Sequence, residues 1–431
     1  MRVCFYTLGC KVNQYETQIM SQLFEKEGFE ISERGENCDV AVINSCTVTS
    51  SGDRKTRQII NKVKAQNENC VVVVTGCFPQ AFPLEEIPQA DIVVGNKSRR
   101  AVIEKVLEFL KEKRKIVEIL PHTPNEEFEP MAAESFLERT RATIKIEDGC
   151  DRYCTYCIIP YARGPIRSKP IADIKAEAEV LAKNGYTEVV LVGINLSSYG
   201  KRTDHRLIDA IKAVCEVDGI KRVRLGSLEP ELLSDDDLKQ MSELEKFCPQ
   251  FHLSLQSGCS ETLERMNRHY DANEYKRIVL AIRKYFDSPA ITTDIMVGFP
   301  GEDEEEFSKS LEFAKEIGFA KAHIFAYSRR PGTKAAAMPN QVSNAVKKER
   351  SRKLIEATDE SRYQFLLSQV GQVCEVLFET SNKLGAHGYT KNYTPVYVKN
   401  EGNLQGKILK VKIVKAESDY CFGEILSEEQ L

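Results

Sequence analysis

The chain has 431 residues, of which 42 % are hydrophobic and 29 % are charged, and its net charge is −4. This length predicts roughly two to four domains, and the mild acidity excludes nucleic-acid binding through overall charge, so that any basic surface must be local. The N-terminus lacks the pattern of a secretion signal, and no apolar stretch is long enough to span a membrane. We therefore expect a soluble, cytoplasmic protein in which the 14 cysteines are more typical of metal sites than of disulfides.

The first part of the chain, residues 1–125, alternates apolar strands with amphipathic helices. This alternation predicts an α/β sandwich, a parallel sheet covered by helices on both faces. Residues 126–137 end a stretch that is rich in Pro, Glu and Asn without periodicity, and we expect a linker there.

The rest of the chain predicts two further domains. Residues 138–367 contain six candidate strands with five helices between them. These are too few for a closed eight-fold barrel and predict an open, partial (β/α)6 barrel with its chemistry at the carboxyl ends of the strands. A long charged helix is expected over residues 340–370. Residues 368–431 hold short β-rich runs and predict a small antiparallel β-barrel, so that the whole chain is an α/β multidomain protein.

The most informative motif is EDGCDRYCTYCIIPYARG, which places Cys150, Cys154 and Cys157 in a C-x3-C-x2-C array directly after the first barrel strand. Three thiolates on one short loop can bind three irons of a [4Fe–4S] cluster and leave the fourth iron open to a small ligand. Zinc is the alternative, but a structural zinc site needs a fourth ligand, and the following residues IIPYARGP offer none.

This array, with an aromatic residue (Tyr156) before the third cysteine at the start of a barrel, resembles the radical S-adenosylmethionine superfamily. The resemblance implies that the cluster passes one electron to the sulfonium of S-adenosylmethionine. Cleavage then yields methionine and a 5′-deoxyadenosyl radical, which abstracts hydrogen from an unactivated carbon. The cofactor supplies this chemistry and the protein orients it.

A second cysteine triad is spread over the N-terminal part. Cys10, Cys46 and Cys77 each stand directly after a predicted strand, in FYTLGC, VAVINSC and VVVVTGC. The carboxyl ends of parallel strands meet at one edge of a sheet, so the three thiols are expected to converge in a second metal site. The other eight cysteines lack such a pattern and are interpreted as core or surface residues: Cys4, Cys38, Cys70, Cys215, Cys248, Cys259, Cys374 and Cys421.

The combination of two triads, a barrel and a small β-barrel resembles the methylthiotransferases over almost the whole chain. TLGCKVNQYET and the Cys150 loop are most similar to the subgroup that acts on N6-threonylcarbamoyladenosine at tRNA position 37. The resemblance implies two [4Fe–4S] clusters and S-adenosylmethionine as cofactors, with tRNA as substrate. We also expect a reducing protein such as flavodoxin or ferredoxin as a partner, and a monomer.

The resemblance also implies a reaction sequence. The N-terminal cluster holds or donates sulfur, one S-adenosylmethionine methylates it, and a second is cleaved at the Cys150 cluster to activate carbon 2 of the adenine. This requires the N-terminal strand ends to face the mouth of the barrel. Alternatives are a methylthiotransferase acting on isopentenyladenosine or on a ribosomal protein, and an iron–sulfur RNA-binding regulator without catalysis.

Further candidates lie at the ends of the barrel strands and in the C-terminal module. Residues 381–415 carry seven lysines and three tyrosines against one acid, Glu401, which suits RNA phosphates and bases, or simply a solvated face. The module resembles a TRAM RNA-binding domain. Candidate cofactor-binding residues are Tyr156, Gly193, Asn195, Ser254, Gln256, Gly298 and Gly301. Candidate substrate-binding residues are Arg163, Arg167, Arg329, Arg330, Lys391, Tyr393 and Lys410.

Overall fold

The computed structural model of the chain describes residues 1–33, 38–83, 85–136, 140–399 and 402–427. The predicted boundary at residues 137 and 138, the acid Glu401 and the last four residues of the chain lie outside these ranges. Among the helices of the described residues, none is long and apolar enough to cross a membrane.

The N-terminal domain is a parallel sheet with helices on both faces, as predicted. Its elements are β1 Arg2–Thr7, α1 Lys11–Lys26, β2 Glu30–Ile31, β3 Val40–Ser45, α2 Ser50–Gln66, β4 Val71–Gly76, α3 Cys77–Ala81, β5 Ile92–Val94, α4 Arg100–Glu112 and β6 Ile116–Glu118. The strands lie in the order β2-β1-β3-β4-β5-β6 and every pair is parallel. Neighbouring residues of β3 pack into different cores, Val40 and Val42 into one, Ala41 and Ile43 into the other. Burial on both faces explains why this strand is apolar throughout.

The central domain is the expected open barrel. Its elements are β7 Ala142–Lys145, β8 Glu147–Asp148, α5 Ile159–Arg163, β9 Arg167–Ser168, α6 Ile171–Lys183, β10 Glu188–Val192, α7 Leu207–Cys215, β11 Arg222–Leu225, β12 Ser227–Leu228, α8 Asp235–Ser242, β13 Gln250–Leu253, α9 Ser260–Arg265, α10 Ala272–Tyr285, β14 Ala290–Val297, α11 Glu304–Ile317 and β15 Lys321–Ala326. Parallel strands follow in the orders β7-β10-β11 and β12-β13-β14-β15. Gly226 alone separates β11 from β12, so these two segments form the third of six barrel strands. The outer strands of the barrel are thus β7 and β15.

The chain then forms two helices and the C-terminal domain. These elements are α12 Lys334–Ala337, α13 Asn344–Ser368, β16 Val373–Asn382, β17 Gly385–Thr390, β18 Pro395–Val398, β19 Ile408–Ala416 and β20 Cys421–Ile425. The five strands close into a barrel in the order β16-β17-β18-β20-β19. The pairing of β18 with β20 is parallel, while the other four pairs are antiparallel. The prediction of an antiparallel barrel is therefore corrected at this one pair.

The segment predicted as a linker is packed between the first two domains. Ala133 and Phe136 are buried in the core of the central barrel. Glu126 accepts a hydrogen bond from Arg167 of the barrel over 2.7 Å, and Glu129 accepts one from Arg99 of the N-terminal domain over 3.2 Å. The segment therefore joins the domains through ion pairs and apolar contacts, which its composition alone does not indicate.

Two buried arginines of β11 hold the C-terminal domain against the barrel. Arg222 donates to the carbonyl oxygens of Tyr389 and Glu375 over 3.0 and 2.8 Å. Arg224 donates to the carbonyl oxygen of Lys391 over 3.0 Å. A guanidinium group presents several donors in a fixed plane, so these bonds set the orientation of the domain as well as its position.

Candidate active site

The three N-terminal cysteines stand at the carboxyl ends of three neighbouring strands. Cys10 follows β1 and caps α1, Cys46 follows β3, and Cys77 follows β4 as the first residue of α3. A Cβ atom added to Gly9, whose φ is +95°, would lie 2.8 Å from Cys46 Sγ. The loop that leads into Cys10 therefore packs directly on Cys46, which requires glycine. The structure thus brings together the residues that the strand pattern predicted to converge.

A buried cation stands beside one sulfur of this triad. Burial raises the pKa of the Cys77 thiol to about 12, and the nearby Arg163 guanidinium acts against that shift. Arg163 Nε donates to Cys77 Sγ over 3.2 Å. Asn13 donates to the carbonyl oxygens of Leu8 and Ser45 over 2.8 and 3.0 Å and so joins the ends of β1 and β3. Because a metal ligand must be the thiolate, a buried cation beside the sulfur favours ligation.

Arg163 does not have the role that the sequence suggested. Its side chain is 0 % exposed, and besides Cys77 it donates to Glu16 Oε1 and to Asn13 Oδ1, each over 2.5 Å. A substrate cannot reach a side chain that is completely enclosed. The prediction that Arg163 binds substrate is therefore corrected: it contacts the N-terminal triad.

The second triad lies on the loop between β8 and α5. The backbone N–H of Cys150 donates to Gly164 over 3.0 Å, and that of Cys157 donates to Cys154 over 2.9 Å, so that the loop folds back on itself. Burial raises the pKa of Cys150, and it raises that of Cys157 to about 12. These two thiols and Cys154 are close enough to influence one another electrostatically.

Two side chains from other loops of the barrel reach this triad. Arg268 Nη1 donates to Cys154 Sγ over 3.3 Å, and Asn195 Nδ2 lies 3.9 Å from Cys150 Sγ. Asn195 was predicted as a cofactor residue, but Arg268 was missed. It lies between α9 and α10 in a segment with no recognisable motif, so that only the folded chain reveals its proximity to Cys154.

The donor sets fit iron–sulfur clusters better than single metal ions. Each triad supplies three cysteines, and three thiolates leave one iron of a [4Fe–4S] cluster without a protein ligand. Within the described ranges no group of three or more His, Cys, Asp or Glu side chains is arranged to hold one metal ion.

A cavity of about 300 Å³ lies between the N-terminal domain and the mouth of the barrel. On the N-terminal side it is lined by Val48 and Thr49, which follow Cys46 closely, and on the barrel side Cys157 is part of its wall. The strand ends of the first domain thus face the carboxyl ends of the barrel strands, as the expected reaction requires. The remaining lining residues are Tyr156, Ile158, Ile159, Gln256, Asp294, Met296, Phe325, Ala326, Tyr327 and Ser328.

Two of the predicted cofactor residues, Tyr156 and Gln256, line this cavity. Gln256 has a φ of +66°, and its backbone N–H donates to the carbonyl oxygen of Asp294 over 2.9 Å. Ser254 and Gln256 both lie beyond the end of β13 and not on one face of that strand as expected. The carbonyl oxygen of Ser254 accepts a hydrogen bond from Tyr270.

The predicted glycines allow close packing around the barrel mouth. A Cβ atom on Gly193 would lie 2.5 Å from Glu147 Oε2, and one on Gly298 would lie 2.3 Å from Lys347 Cγ. A Cβ atom on Gly301, whose φ is +83°, would lie 3.3 Å from Arg265 Nε. A direct role of these glycines at a cofactor stays a prediction.

Two more predicted substrate arginines are buried in ion pairs. Arg167 donates to Glu126 Oε2 over 2.7 Å. Arg330 is 2 % exposed and donates to Asp53 Oδ2 over 2.6 Å and to Thr47 Oγ1 over 2.7 Å. Both are corrected from substrate binding to contacts between chain segments. Arg329, which precedes Arg330 in the chain, is exposed and stays a substrate candidate.

The aromatic and basic candidates of the C-terminal domain fall into two groups. Tyr393 stacks on Tyr389 with ring centroids 4.4 Å apart, and Arg141 and Arg224 lie over its ring at 5.0 and 4.7 Å. Its ring is therefore engaged in the contact with the barrel, which corrects the prediction of substrate stacking. Lys391 also faces the barrel and donates to the carbonyl oxygen of Glu245 over 3.1 Å. In the other group, Lys410 is exposed, and a half-exposed aromatic cluster is formed by His387, Tyr397, Tyr420 and Phe422.

Comparison with known families and folds agrees with this architecture. The Radical SAM superfamily profile matches residues 144–314, a profile described as Uncharacterized protein family UPF0004 matches residues 2–95, and the TRAM domain profile matches residues 367–426. The fold is similar to that of the radical S-adenosylmethionine methyltransferase TsrM from Kitasatospora setae, with a TM-score of 0.59 at 14 % identity over 78 % of this chain and 75 % of that one. Fold and cysteine loops together define a radical S-adenosylmethionine enzyme with a C-terminal TRAM domain.

Curated relatives narrow the class to one family. The chain is 38 % identical to threonylcarbamoyladenosine tRNA methylthiotransferase MtaB of Bacillus subtilis over 98 % of this chain and 96 % of the relative. It is 37 % identical to the protein of the same name in Aquifex aeolicus over 96 % and 100 %. It is 34 % identical to tRNA-2-methylthio-N(6)-dimethylallyladenosine synthase of Clostridium botulinum over 97 % and 95 %. The chain belongs to the radical S-adenosylmethionine methylthiotransferase family, whose members are transferases that use S-adenosylmethionine and [4Fe–4S] clusters.

Proposed function

We propose that this enzyme converts N6-threonylcarbamoyladenosine at tRNA position 37 to its 2-methylthio derivative. One observation carries the proposal: a single cavity of about 300 Å³ is walled by Cys157 of one triad and by the loop that follows Cys46 of the other. A base held there lies between both triads, as sulfur insertion at an activated carbon requires. The relatives at 37–38 % identity bear the name of this activity.

The six triad cysteines are the proposed ligands of two [4Fe–4S] clusters. When bound with S-adenosylmethionine, these groups supply the sulfur, the methyl group and the radical. The chain's own residues hold and orient them. Arg268 and Arg163 donate to one sulfur of each triad, and Tyr156 and Gln256 line the space in which cofactor and base must meet.

Threonylcarbamoyl is favoured over dimethylallyl as the N6 substituent by the charge at the rim of the cavity. Arg329 is exposed next to Ser328, which lines the cavity. A guanidinium group suits the carboxylate of threonylcarbamoyl through charge-assisted hydrogen bonds. It has no comparable partner on an apolar dimethylallyl group, the substituent named for the relatives at 34 % identity.

The proposal includes the surroundings in which the enzyme works. It acts as a monomer in the cytoplasm and receives electrons from a reducing protein such as flavodoxin or ferredoxin. The exposed Lys410 and the half-exposed aromatic cluster of the C-terminal domain form the surface that holds tRNA, by phosphate contact and base stacking.

The deciding experiment compares tRNA nucleosides by mass spectrometry in a deletion strain with and without a plasmid copy of the gene. Loss of 2-methylthio-N6-threonylcarbamoyladenosine, restored by the wild-type gene but not by a Cys10→Ala/Cys46→Ala/Cys77→Ala variant, supports the proposal. Loss of the 2-methylthio derivative of dimethylallyladenosine in its place would assign the other substrate. Unchanged nucleosides would refute action on tRNA.

A further inference from the structure

We infer that Arg163 is a positioning residue that raises the reduction potential of the N-terminal cluster and ties that cluster to the loop of the radical cluster. The inference rests on the proposed role of Cys10, Cys46 and Cys77 as cluster ligands. It goes beyond that role because it concerns a residue that belongs to the other domain.

The position of Arg163 in the chain makes this link direct. It is the last residue of α5, six positions after Cys157, and α5 packs against α3, which begins with Cys77. A single short helix therefore separates a thiol of the radical triad from a guanidinium that touches a thiol of the other triad. A shift of one loop relative to the other would break the contact between Arg163 Nε and Cys77 Sγ, which is 3.2 Å long.

The guanidinium is fixed by partners from the N-terminal domain. Glu16 accepts from Arg163 Nη1 and Asn13 accepts from Nη2, each over 2.5 Å. Glu16 is itself shared with Arg99 and with Lys145, whose Nζ lies 2.7 Å away. Asp148 and Glu129 supply further negative charge to these three cations. Arg163 is nevertheless the charged group that donates a hydrogen bond to Cys77 Sγ.

A buried cation beside a cluster thiolate changes the energy of one-electron reduction. Reduction adds one negative charge to the cluster, with the electron supplied by a reducing protein or by dithionite in vitro. The charge-assisted bond from Arg163 stabilises the reduced state more than the oxidised state. Because Arg163 is completely buried, water and salt screen this interaction little.

Arg330 provides a matched control for the docking of the domains. Like Arg163, it is buried, comes from the barrel and reaches into the N-terminal domain, where it donates to Asp53 and Thr47. Thr47 directly follows Cys46, yet the atoms that accept from Arg330 are carboxylate and hydroxyl oxygens. Removing Arg330 therefore weakens the contact between domains without removing a donor to a cluster thiolate.

The test uses the full-length protein with Cys150, Cys154 and Cys157 replaced by Ala, so that only the N-terminal cluster assembles. After anaerobic reconstitution, iron is counted and the cluster is titrated with reductant while its EPR signal is followed. We expect Arg163→Met to make reduction at least tenfold less favourable, which is a fall of about 59 mV for one electron. Arg163→Lys, which keeps the charge but not the planar donor group, should cause a smaller fall, and Arg330→Met should cause none.

The outcomes separate this inference from the proposed function. If the parent protein binds no iron, the ligand role of the N-terminal triad fails. If it binds about four irons and Arg163→Met leaves the potential unchanged, the inference is overturned. An equal fall in Arg330→Met would also overturn it, because docking and not the sulfur contact would then set the potential. If the Arg163→Met variant does not retain its cluster, the Arg163→Lys variant decides the question. A reduction potential equal to that of the parent protein then overturns the inference.

Discussion

Arg268 Nη1 donates to Cys154 Sγ over 3.3 Å, so that the radical triad has a buried arginine beside one sulfur, as the N-terminal triad has Arg163. Arg268 is held by an ion pair with Glu229 and lies over the ring of Tyr270 at 4.9 Å. Its side chain is only 4 % exposed. Both proposed clusters are therefore contacted by a cation that comes from outside their own cysteine loop.

We expect Arg268→Met to lower the rate of 5′-deoxyadenosine formation by about tenfold or more, since a hydrogen bond to a charged group contributes about 1.5–3 kcal/mol. The measurement is product formation by the reconstituted enzyme with dithionite as reductant. Arg362→Met is the matched control, because Arg362 is also largely buried and pairs with an aspartate, Asp419, but lies far from both triads. An unchanged rate in Arg268→Met would contradict the prediction.

The two triads should bind iron independently. The wild-type protein is expected to hold about eight irons after reconstitution, and the Cys10→Ala/Cys46→Ala/Cys77→Ala variant about four, because each triad serves one four-iron cluster. Iron and sulfide analysis measures both values. Cys4→Ala is the control: Cys4 lies in β1 near Cys10 but is buried in the sheet, and its loss should leave about eight irons. Equal iron in wild type and triple variant would rule out the N-terminal site.

Acid should weaken the contact between the N-terminal domain and the barrel through Glu16. Burial opposes ionisation of this carboxyl, but Arg163, Arg99 and Lys145 outweigh burial and lower its pKa from 4.5 to about 2. A pKa that is lower in the folded state stabilises the fold above pH 4.5, and this contribution is lost as the pH falls toward 2. Its size is on the order of 3 kcal/mol.

This effect is measured by thermal unfolding of the cluster-free protein between about pH 6 and pH 3. That range covers about three pH units and brackets the pKa of a glutamate carboxyl in the unfolded state. The wild type should lose stability on acidification more steeply than Glu16→Gln, which has no carboxyl to protonate at this position. Glu305→Gln changes an exposed carboxylate on α11 and serves as the control. Parallel pH profiles of wild type and Glu16→Gln would contradict the assignment.

Arg329 should discriminate between tRNA substrates. Arg329→Ala is expected to raise KM for tRNA carrying threonylcarbamoyladenosine by about tenfold, the effect of losing one charge-assisted hydrogen bond of about 1.5 kcal/mol. The inhibition constant of unmodified tRNA, added as a competitor, should change little. Arg352→Ala removes an exposed arginine of α13 that pairs with Glu349 and Glu356, and it should have no effect. If both variants behave alike, Arg329 does not contact the substituent.

Much of the candidate site could be predicted because it follows from local pattern. The C-x3-C-x2-C spacing brings Cys150, Cys154 and Cys157 together on one loop regardless of the rest of the fold. Cys10 and Cys77 could be placed together because parallel strands with right-handed crossovers end at the same edge of a sheet.

The arginines were where prediction failed. Arg163, Arg167 and Arg330 were expected near the substrate because they flank the cluster loop or follow a barrel strand, and a guanidinium group suits a carboxylate or a phosphate. Each is instead buried against a carboxylate that is remote in sequence, as with Arg330 and Asp53, which are 277 positions apart. The prediction for Tyr393 failed in a similar way, because its half-buried ring stacks on Tyr389 and lies under Arg141 and Arg224 of the barrel. Burial of a charged or aromatic side chain depends on what packs on it, which a local pattern does not contain.

From the sequence by itself, strand periodicity and cysteine spacing predicted the three parts of the chain and the two cysteine triads, because both are local properties of the chain. The family followed from the resemblance of the cysteine motifs to those of known enzymes. Only the tertiary structure decided that Cys157 of one triad and the loop after Cys46 of the other line one cavity. It alone also decided that Arg163 and Arg268 each contact a sulfur of one triad. The physical reason is that a buried cation is stable only where distant segments supply its counter-charges and hydrogen-bond acceptors. Those segments meet only in the folded protein.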